Sequence, residues 1–308
     1  MKNTLVWVLA LTLSVGFYSC EKKEYKLEYV AVANTEVGKL LVEGTDLIAN
    51  VHSDTSYTLV NGVTATEIKY LSMTGMAMKA FIFEVDLSNP KISIEVSTPF
   101  NQPNFRMQEM TSQATYEDKE NHKVWAGINA DFFNMTTGAP QGVLHKEGVI
   151  IKSTVQDGVN TFFAINDEKK AVIGDQELYS NIKSDLVEAV GGRVILVEDG
   201  ILSNQTDDRL EPRTAIGVSE DGTKVYMLAV DGRNFHYSNG MNYADLGKIL
   251  KALGSYDAIN LDGGGSTTFF IRNTPDFAPN RFELRNWPTD NGGQERAVAN
   301  GLLIISND

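Results

Sequence analysis

The chain has 308 residues, 42% of them hydrophobic, and a formal net charge of −13, enough apolar material for one large core or a domain with a small annex. No lysine and arginine cluster interrupts the acidic balance, so a long contact with a polyanionic backbone would lack its cations and nucleic acid is excluded as a partner. A small anionic ligand is not excluded, because one or two arginines bind a phosphate bidentately whatever the global charge.

Met1 to Cys20 reads as an export signal, since Lys2 precedes an apolar run from Leu5 to Phe17 that is too short to cross a bilayer comfortably. The run ends at Cys20, the single cysteine of the chain. That ending resembles the lipidated cysteine of a bacterial lipoprotein signal, although Phe17 and Tyr18 depart from the usual small or leucine residues there. We therefore expect an exported protein held to the bacterial cell envelope by lipid at Cys20; the alternative is cleavage elsewhere with a free thiol left over. A lone cysteine allows no intramolecular disulfide.

Residues 21–72 are expected to form a charged tether followed by a β annex. Glu21 to Lys26 is charged, and Tyr25 to Ala33 and Tyr57 to Leu71 alternate apolar and polar residues, with an Asn61-Gly62 turn signal. After a break at Met73-Thr74-Gly75, residues 73–308 form the main domain. Ala77 to Leu87 and Ile92 to Val96 read as strands separated by Asn89-Pro90. Phe105 to Glu120 places Phe105, Met107, Met110 and Ala114 on a helical face. Hairpin turns are expected at Lys146-Glu147-Gly148, Glu198-Asp199-Gly200 and Glu220-Asp221-Gly222, each between β-branched runs. Met241 to Leu253 has helical spacing, with Ser238 or Asn239 as N-cap and Gly254 just past its end. Asn273 to Gln294 carries three prolines and little periodicity, as a flap over a site would. Strand signals outnumber helix signals, so the fold class is α+β: a single domain rich in mixed or antiparallel sheet, with few helices.

Two strand-like runs end in acids. Asp257 to Leu261 leads into Asp262-Gly263-Gly264-Gly265-Ser266-Thr267-Thr268, where the glycines permit close approach of a ligand and successive amides can form an anion-binding nest. The competing interpretation is a tight turn between apolar runs. Ala126 to Asp131 repeats the pattern, presenting Asn129 and Asp131 before Phe132-Phe133-Asn134. Asp131 could instead accept hydrogen bonds only within its own loop. Arg213 opens the run Arg213 to Val218 and can aim a fork of donors into a cleft, or form a surface ion pair. Asp231-Gly232-Arg233 closes the following strand. His52, His122, His145 and His236 lack metal-ligand spacing, while oxygen-rich loops leave calcium or magnesium open as ligands.

Asn260-Leu261-Asp262-Gly263-Gly264-Gly265-Ser266-Thr267-Thr268 closely resembles a segment of the phosphodiester glycosidase domain. Further segments follow in that family's order: Gly127 to Asn134, Gly138-Ala139-Pro140-Gln141-Gly142, Arg213 to Gly217, Val230 to Arg233 and Glu295 to Asn300. The resemblance covers Met78 to Ser306 and implies hydrolysis of a sugar-1-phosphodiester, with release of the sugar and phosphate left on the other alcohol. Glycosidic cleavage commonly uses two carboxyl groups, for which Asp131 and Asp262 are the candidates and Asp231 the reserve. Arg213 and the backbone of Gly263 to Gly265 are expected to bind phosphate, with Arg233, Ser266 and Thr267 nearby. Asn129, Gln141 and Asn260 are candidates for sugar hydroxyls. No cofactor is required by this reading. Two other classes stay open: a lipoprotein that binds a glycan or phosphorylated sugar without cleaving it, and a metal-dependent phosphodiesterase with Asp131, Asp231 and Asp262 around a divalent ion.

Overall fold

β-Branched and aromatic residues recur at alternate positions along the chain, and the stretches they define pair into three sheets in which every pairing among the described residues is antiparallel. The structure is a computed structural model that describes residues 30–275 and 280–307. The expected export signal, Cys20 and the expected tether over Glu21 to Lys26 lie outside the described residues. The described end of the first expected strand, 30–33, enters no sheet.

The largest sheet has eight strands in the order Ile48–Val60, Val63–Ser72, Ala77–Asp86, Lys224–Val230, Arg213–Val218, Asp257–Asn260, Ile195–Glu198 and Ile201–Leu202. Its first hairpin turns at Asn61-Gly62, where the sequence places a turn. The stretch expected as an annex pairs residue by residue with Ala77–Asp86, from Val63 opposite Val85 to Leu71 opposite Ala77, and so extends the main sheet. The second sheet orders Val149–Lys152, Leu144–Lys146, Leu186–Gly192, Thr161–Asn166 and Ala171–Asp175. The third orders Phe282–Leu284, Phe269–Arg272, Lys123–Asn129, Gly301–Ser306 and Ile92–Ser97.

One face of the large sheet meets both smaller sheets in a core that includes Phe81, Phe83, Ile128, Phe163, Ile216, Met227, Phe269 and Leu302. Phe83 stacks on Phe269 with ring centroids 3.7 Å apart, and burial of each such ring contributes about 1.5–3 kcal/mol. The opposite face carries two helices, Glu36–Gly44 and Tyr243–Leu253, through Val37, Leu41, Leu246, Ile249 and Leu250. The second helix ends at Gly254 as expected, but Asn242 is its cap, accepting the Asp245 amide. Ser238 and Asn239 serve the preceding loop instead, bonding Asp231 and Ala77. The helix expected over 105–120 is confined to Met110–Glu117, where Met110 and Ala114 are buried, and the Glu36–Gly44 helix has no counterpart in the sequence reading.

The topology matters for function at one place. Lys123–Asn129, Leu186–Gly192 and Asp257–Asn260, one strand from each sheet, end side by side. The Asp262 amide donates to Ala130 O at 2.8 Å, and the Arg193 amide to Asn260 O at 3.4 Å.

Candidate active site

Asp131 stands where the third sheet meets the second. Its own amide donates to Asn300 Oδ1 at 2.9 Å, and its Oδ2 accepts the Gly142 amide at 2.8 Å. Gly142 and Gly191 press against the carboxylate: a Cβ on Gly191 would lie 3.0 Å from each carboxylate oxygen and 2.5 Å from Gly142 Cα. These positions therefore require glycine for close approach. Asp131 is only 2% exposed, and Asp131 Oδ1 has no hydrogen-bond partner. Burial raises its pKa to about 7, opposed by the Gly142 amide and the Lys152 charge and reinforced by the charge of Asp262. Lys152 Nζ acts through the loop, donating to Gly142 O at 2.8 Å and Gln141 O at 3.2 Å.

Asp262 is its neighbour, joined through the Ala130 carbonyl and close enough for the two charges to interact. Its surroundings differ. Asp262 is partly open, Oδ1 accepts the Gly263 amide at 3.0 Å, and the carboxylate also bonds Ser266. Burial raises its pKa to about 6, with Ser266, the Gly263 amide, Arg296 and Arg193 all pulling downward. The structure thus brings together the two expected carboxyl groups, and burial raises the pKa of both toward neutrality.

Three arginines surround the glycine turn. A Cβ on Gly265 would fall 2.1 Å from Arg296 Nη2, and one on Gly264 would fall 3.3 Å from Arg233 Nη2. Arg193 stands across from them, its guanidinium 3.8 Å above the Phe132 ring centroid and bonded to Gln141 Oε1. Arg193 Nε is buried without a partner. Arg296 reaches Ser266 Oγ at 3.5 Å, and Asp290 links Arg233 to Arg296. Buried polar atoms are normally satisfied. Here Asp131 Oδ1, Arg193 Nε, Thr267 Oγ1 and Asn300 Nδ2 are not.

Several expected roles are corrected. Arg213 has its backbone beside Gly263, but its guanidinium turns to the helix side of the sheet, where it donates to Met241 O and Arg209 O and covers the Tyr243 ring at 4.1 Å. The neighbouring Thr214 points the other way, onto Asn129 Oδ1, as strand alternation dictates. Asp231 is buried in a separate network: Oδ1 accepts Asn286 Nδ2 at 3.0 Å and Oδ2 the Trp287 amide at 2.8 Å. It anchors the 286–287 turn, and the trio of Asp131, Asp231 and Asp262 is not assembled. Among the described residues no three His, Cys, Asp or Glu side chains come together as metal ligands. Of the expected nest, the amides of Gly263, Gly264, Ser266 and Thr267 have partners within the turn or at Pro212, which narrows the expected backbone contact to the Gly265 amide.

Asn129 and Asn260 brace the site from below. Asn129 donates to Asp262 O and accepts from Thr214 and Thr268, while Asn260 accepts the Val194 amide and donates to Leu261 O. Gln141 is at the site through Arg193. Within the expected flap, Phe282–Leu284 is a strand, and Asn286 and Asp290 pin the following turn to Asp231 and Arg233. Arg193, Arg296, Asn300 and Lys152 complete a site that the sequence reading left short of them. Gly191-Gly192-Arg193 after an apolar strand carries the same signal as the aspartate motifs; Lys152 carries none.

Residues 122–305 match the family described as phosphodiester glycosidase. The chain belongs to the phosphodiester glycosidase family. Among its relatives is N-acetylglucosamine-1-phosphodiester alpha-N-acetylglucosaminidase of Mus musculus, 26% identical over 184 residues, which are 53% of this chain and 33% of the relative. The Bos taurus enzyme of the same name is 27% identical over 183 residues, 53% of this chain and 32% of its own length. The chain therefore spans about a third of the curated relatives it matches. In three dimensions it superimposes on the zebrafish catalytic domain of that name, auto-inhibited by its pro-peptide, with TM-score 0.59 and 20% identity over 82% of this chain and 88% of the other. That likeness, between two members of the phosphodiester glycosidase fold, is one of architecture.

Proposed function

We propose that the protein hydrolyses a sugar-1-phosphodiester, breaking the bond between the anomeric carbon and the phosphate oxygen to release the free sugar and a phosphomonoester. The observation that carries this reading is the pair of neighbouring carboxyl groups, Asp131 and Asp262, joined through the Ala130 carbonyl and set beside arginines at a glycine turn. Asp262, kept ionised at neutral pH by Ser266, the Gly263 amide, Arg296 and Arg193, supplies the carboxylate at the anomeric carbon. Asp131, whose pKa burial raises to about 7, is protonated in about half of the molecules at neutral pH and serves as the acid partner. A phosphate is already a weakly basic leaving group, so Arg193 and Arg296 stabilise the charge that develops on it. Family names make an N-acetylglucosamine-1-phosphodiester the first substrate to test.

The test is incubation of the purified protein with a panel of sugar-1-phosphodiesters and identification of products by mass spectrometry. Release of free sugar is expected. Retention of intact substrate on the protein without release would make it a binding protein instead.

Location is a separate inference. The apolar run ending at the lone Cys20 supports lipid anchoring to the cell envelope after export. Cys20→Ser is expected to shift the protein from the membrane fraction to the soluble fraction; an unchanged distribution would refute anchoring at Cys20.

A further inference from the structure

Four of the nine methionines in the chain, Met73, Met76, Met78 and Met241, line one cavity of about 260 Å³. It lies on the helix-bearing face of the large sheet, the face to which Arg213 turns, whereas Asp131 and Asp262 follow Ala130 and Leu261 of the core on the other face. Three of the four come from one short segment, Met73-Thr74-Gly75-Met76-Ala77-Met78, which joins the second strand of that sheet to the third. Backbone bonds fix its turn: the Ser72 amide donates to Met76 O, the Gly75 amide to Ser72 O and the Met73 amide to Leu47 O, each at 2.9 Å. Met76 and Met78 are two residues apart in extended chain, so their side chains share a face. Met78 stands directly opposite Tyr70, which also lines the cavity. Met241 comes from the loop ahead of the Tyr243–Leu253 helix, its carbonyl held by Arg213 Nε at 3.0 Å.

In a core, methionine fills irregular gaps, because its three rotatable bonds let it bend into them. Here four methionines surround a gap, and Met73 is 66% exposed, where core packing has no use for it. An apolar ligand fits poorly, since Ser72, Thr74, Asp46, Asp245 and Lys248 share the wall. Lys248 Nζ lies 2.7 Å from Asp46 Oδ1 and 3.6 Å from Asp245 Oδ1. Two carboxylates thus face one ammonium, and the excess negative charge favours a cation. Hard divalent ions seek several oxygen ligands, and among the described residues no three His, Cys, Asp or Glu side chains gather to supply them. Zinc lacks its usual ligands too, because the wall holds neither imidazole nor thiolate. Neutral, polarisable thioethers select a soft ion, and Cu(I) is the one they suit.

We propose that Met73, Met76, Met78 and Met241 form a binding site for one Cu(I) ion, separate from the hydrolytic site and independent of its chemistry. The test titrates Cu(I), kept in solution by acetonitrile, anaerobically into the full chain carrying Cys20→Ser, and reads binding by calorimetry. That background removes the one thiol able to compete for the ion. One equivalent is expected to bind, with sulfur in its coordination shell by X-ray absorption at the copper edge. Met73→Leu and Met76→Leu keep the side-chain volume and remove one thioether each, and each should weaken binding about tenfold. Met135→Leu, at an exposed methionine away from the cavity, should leave the affinity unchanged. Melting temperatures of the copper-free variants close to that of the parent separate loss of a ligand from loss of the fold. Absence of saturable binding, a copper shell without sulfur, or the same affinity in Met73→Leu and Met76→Leu as in the parent overturns the proposal. So does equal weakening in all three variants, Met135→Leu included.

Discussion

Asp131 and Asp231 are both buried acids, each following an apolar strand and each preceding a loop, yet the structure uses them in opposite ways. Asp231 has both oxygens occupied by groups of one turn, Asn286 Nδ2 and the Trp287 amide, and its carboxylate holds that turn in place. Asp131 receives one amide, from Gly142, while its second oxygen is buried with no partner. Burial is the first-ranked cause that raises both pKa values. Position after a strand and loss of water therefore do not separate a structural acid from a chemical one. What separates them is unused hydrogen-bonding capacity beside a second carboxyl group and a set of cations.

The largest expected break in this comparison is at Asp262. Asp262→Asn removes the charge and keeps the shape, so sugar release should fall about a hundred- to ten-thousandfold with the circular dichroism spectrum and melting temperature close to wild type; retained activity would remove Asp262 from the chemistry. Next is Arg193→Ala, which takes away a guanidinium proposed to stabilise charge on the phosphate. A loss of roughly a hundredfold in kcat is expected, and an equal loss from Arg213→Ala measured in parallel would argue for a packing effect instead.

Asp231→Ala sharpens the other side. It leaves the Trp287 backbone N–H without its acceptor and Asn286 Nδ2 with Thr267 O alone, at a cost of about 1–3 kcal/mol in urea unfolding, and activity loss without loss of stability would contradict a structural role. The last effect expected is on stability alone, and it is a gain. The pKa of Asp131 is raised from the unfolded value of about 3.9 to about 7, so the native state binds its proton more tightly and stability falls as pH rises between those values. Asp131→Asn removes that penalty while keeping an acceptor for Gly142. It should raise the melting temperature by roughly 2–4 °C per kcal/mol recovered at pH 8, and by little or nothing at pH 4; a gain that is the same at both would refute the assignment.

The sequence made the two catalytic candidates visible because each stands directly after a strand and inside a motif with its own glycines or aromatics. Sheet richness, the Asn61-Gly62 hairpin and the Gly254 helix end were legible for the same reason, since each depends on neighbours in sequence. Arg213 was misjudged because alternation along a strand tells which residues share a face, not which face holds the site; Thr214 turned out to face it. How many amides of the glycine turn stay open was not legible, because one of them, that of Gly264, is taken by a carbonyl far away in sequence, that of Pro212. Lys152 acts on Asp131 from the second sheet and Asn300 from the neighbouring strand of the third, through contacts that no local pattern records.

The central claim is that the bond to the anomeric carbon breaks, rather than a bond to phosphorus. Hydrolysis of a single sugar-1-phosphodiester in water enriched in oxygen-18, followed by mass spectrometry of both products, reads this directly. The account predicts label in the anomeric hydroxyl of the free sugar, assayed before exchange with solvent, and an unlabelled phosphomonoester. Label in the phosphate would mean attack at phosphorus and would contradict the pairing of Asp131 with Asp262 as a glycosidic catalyst.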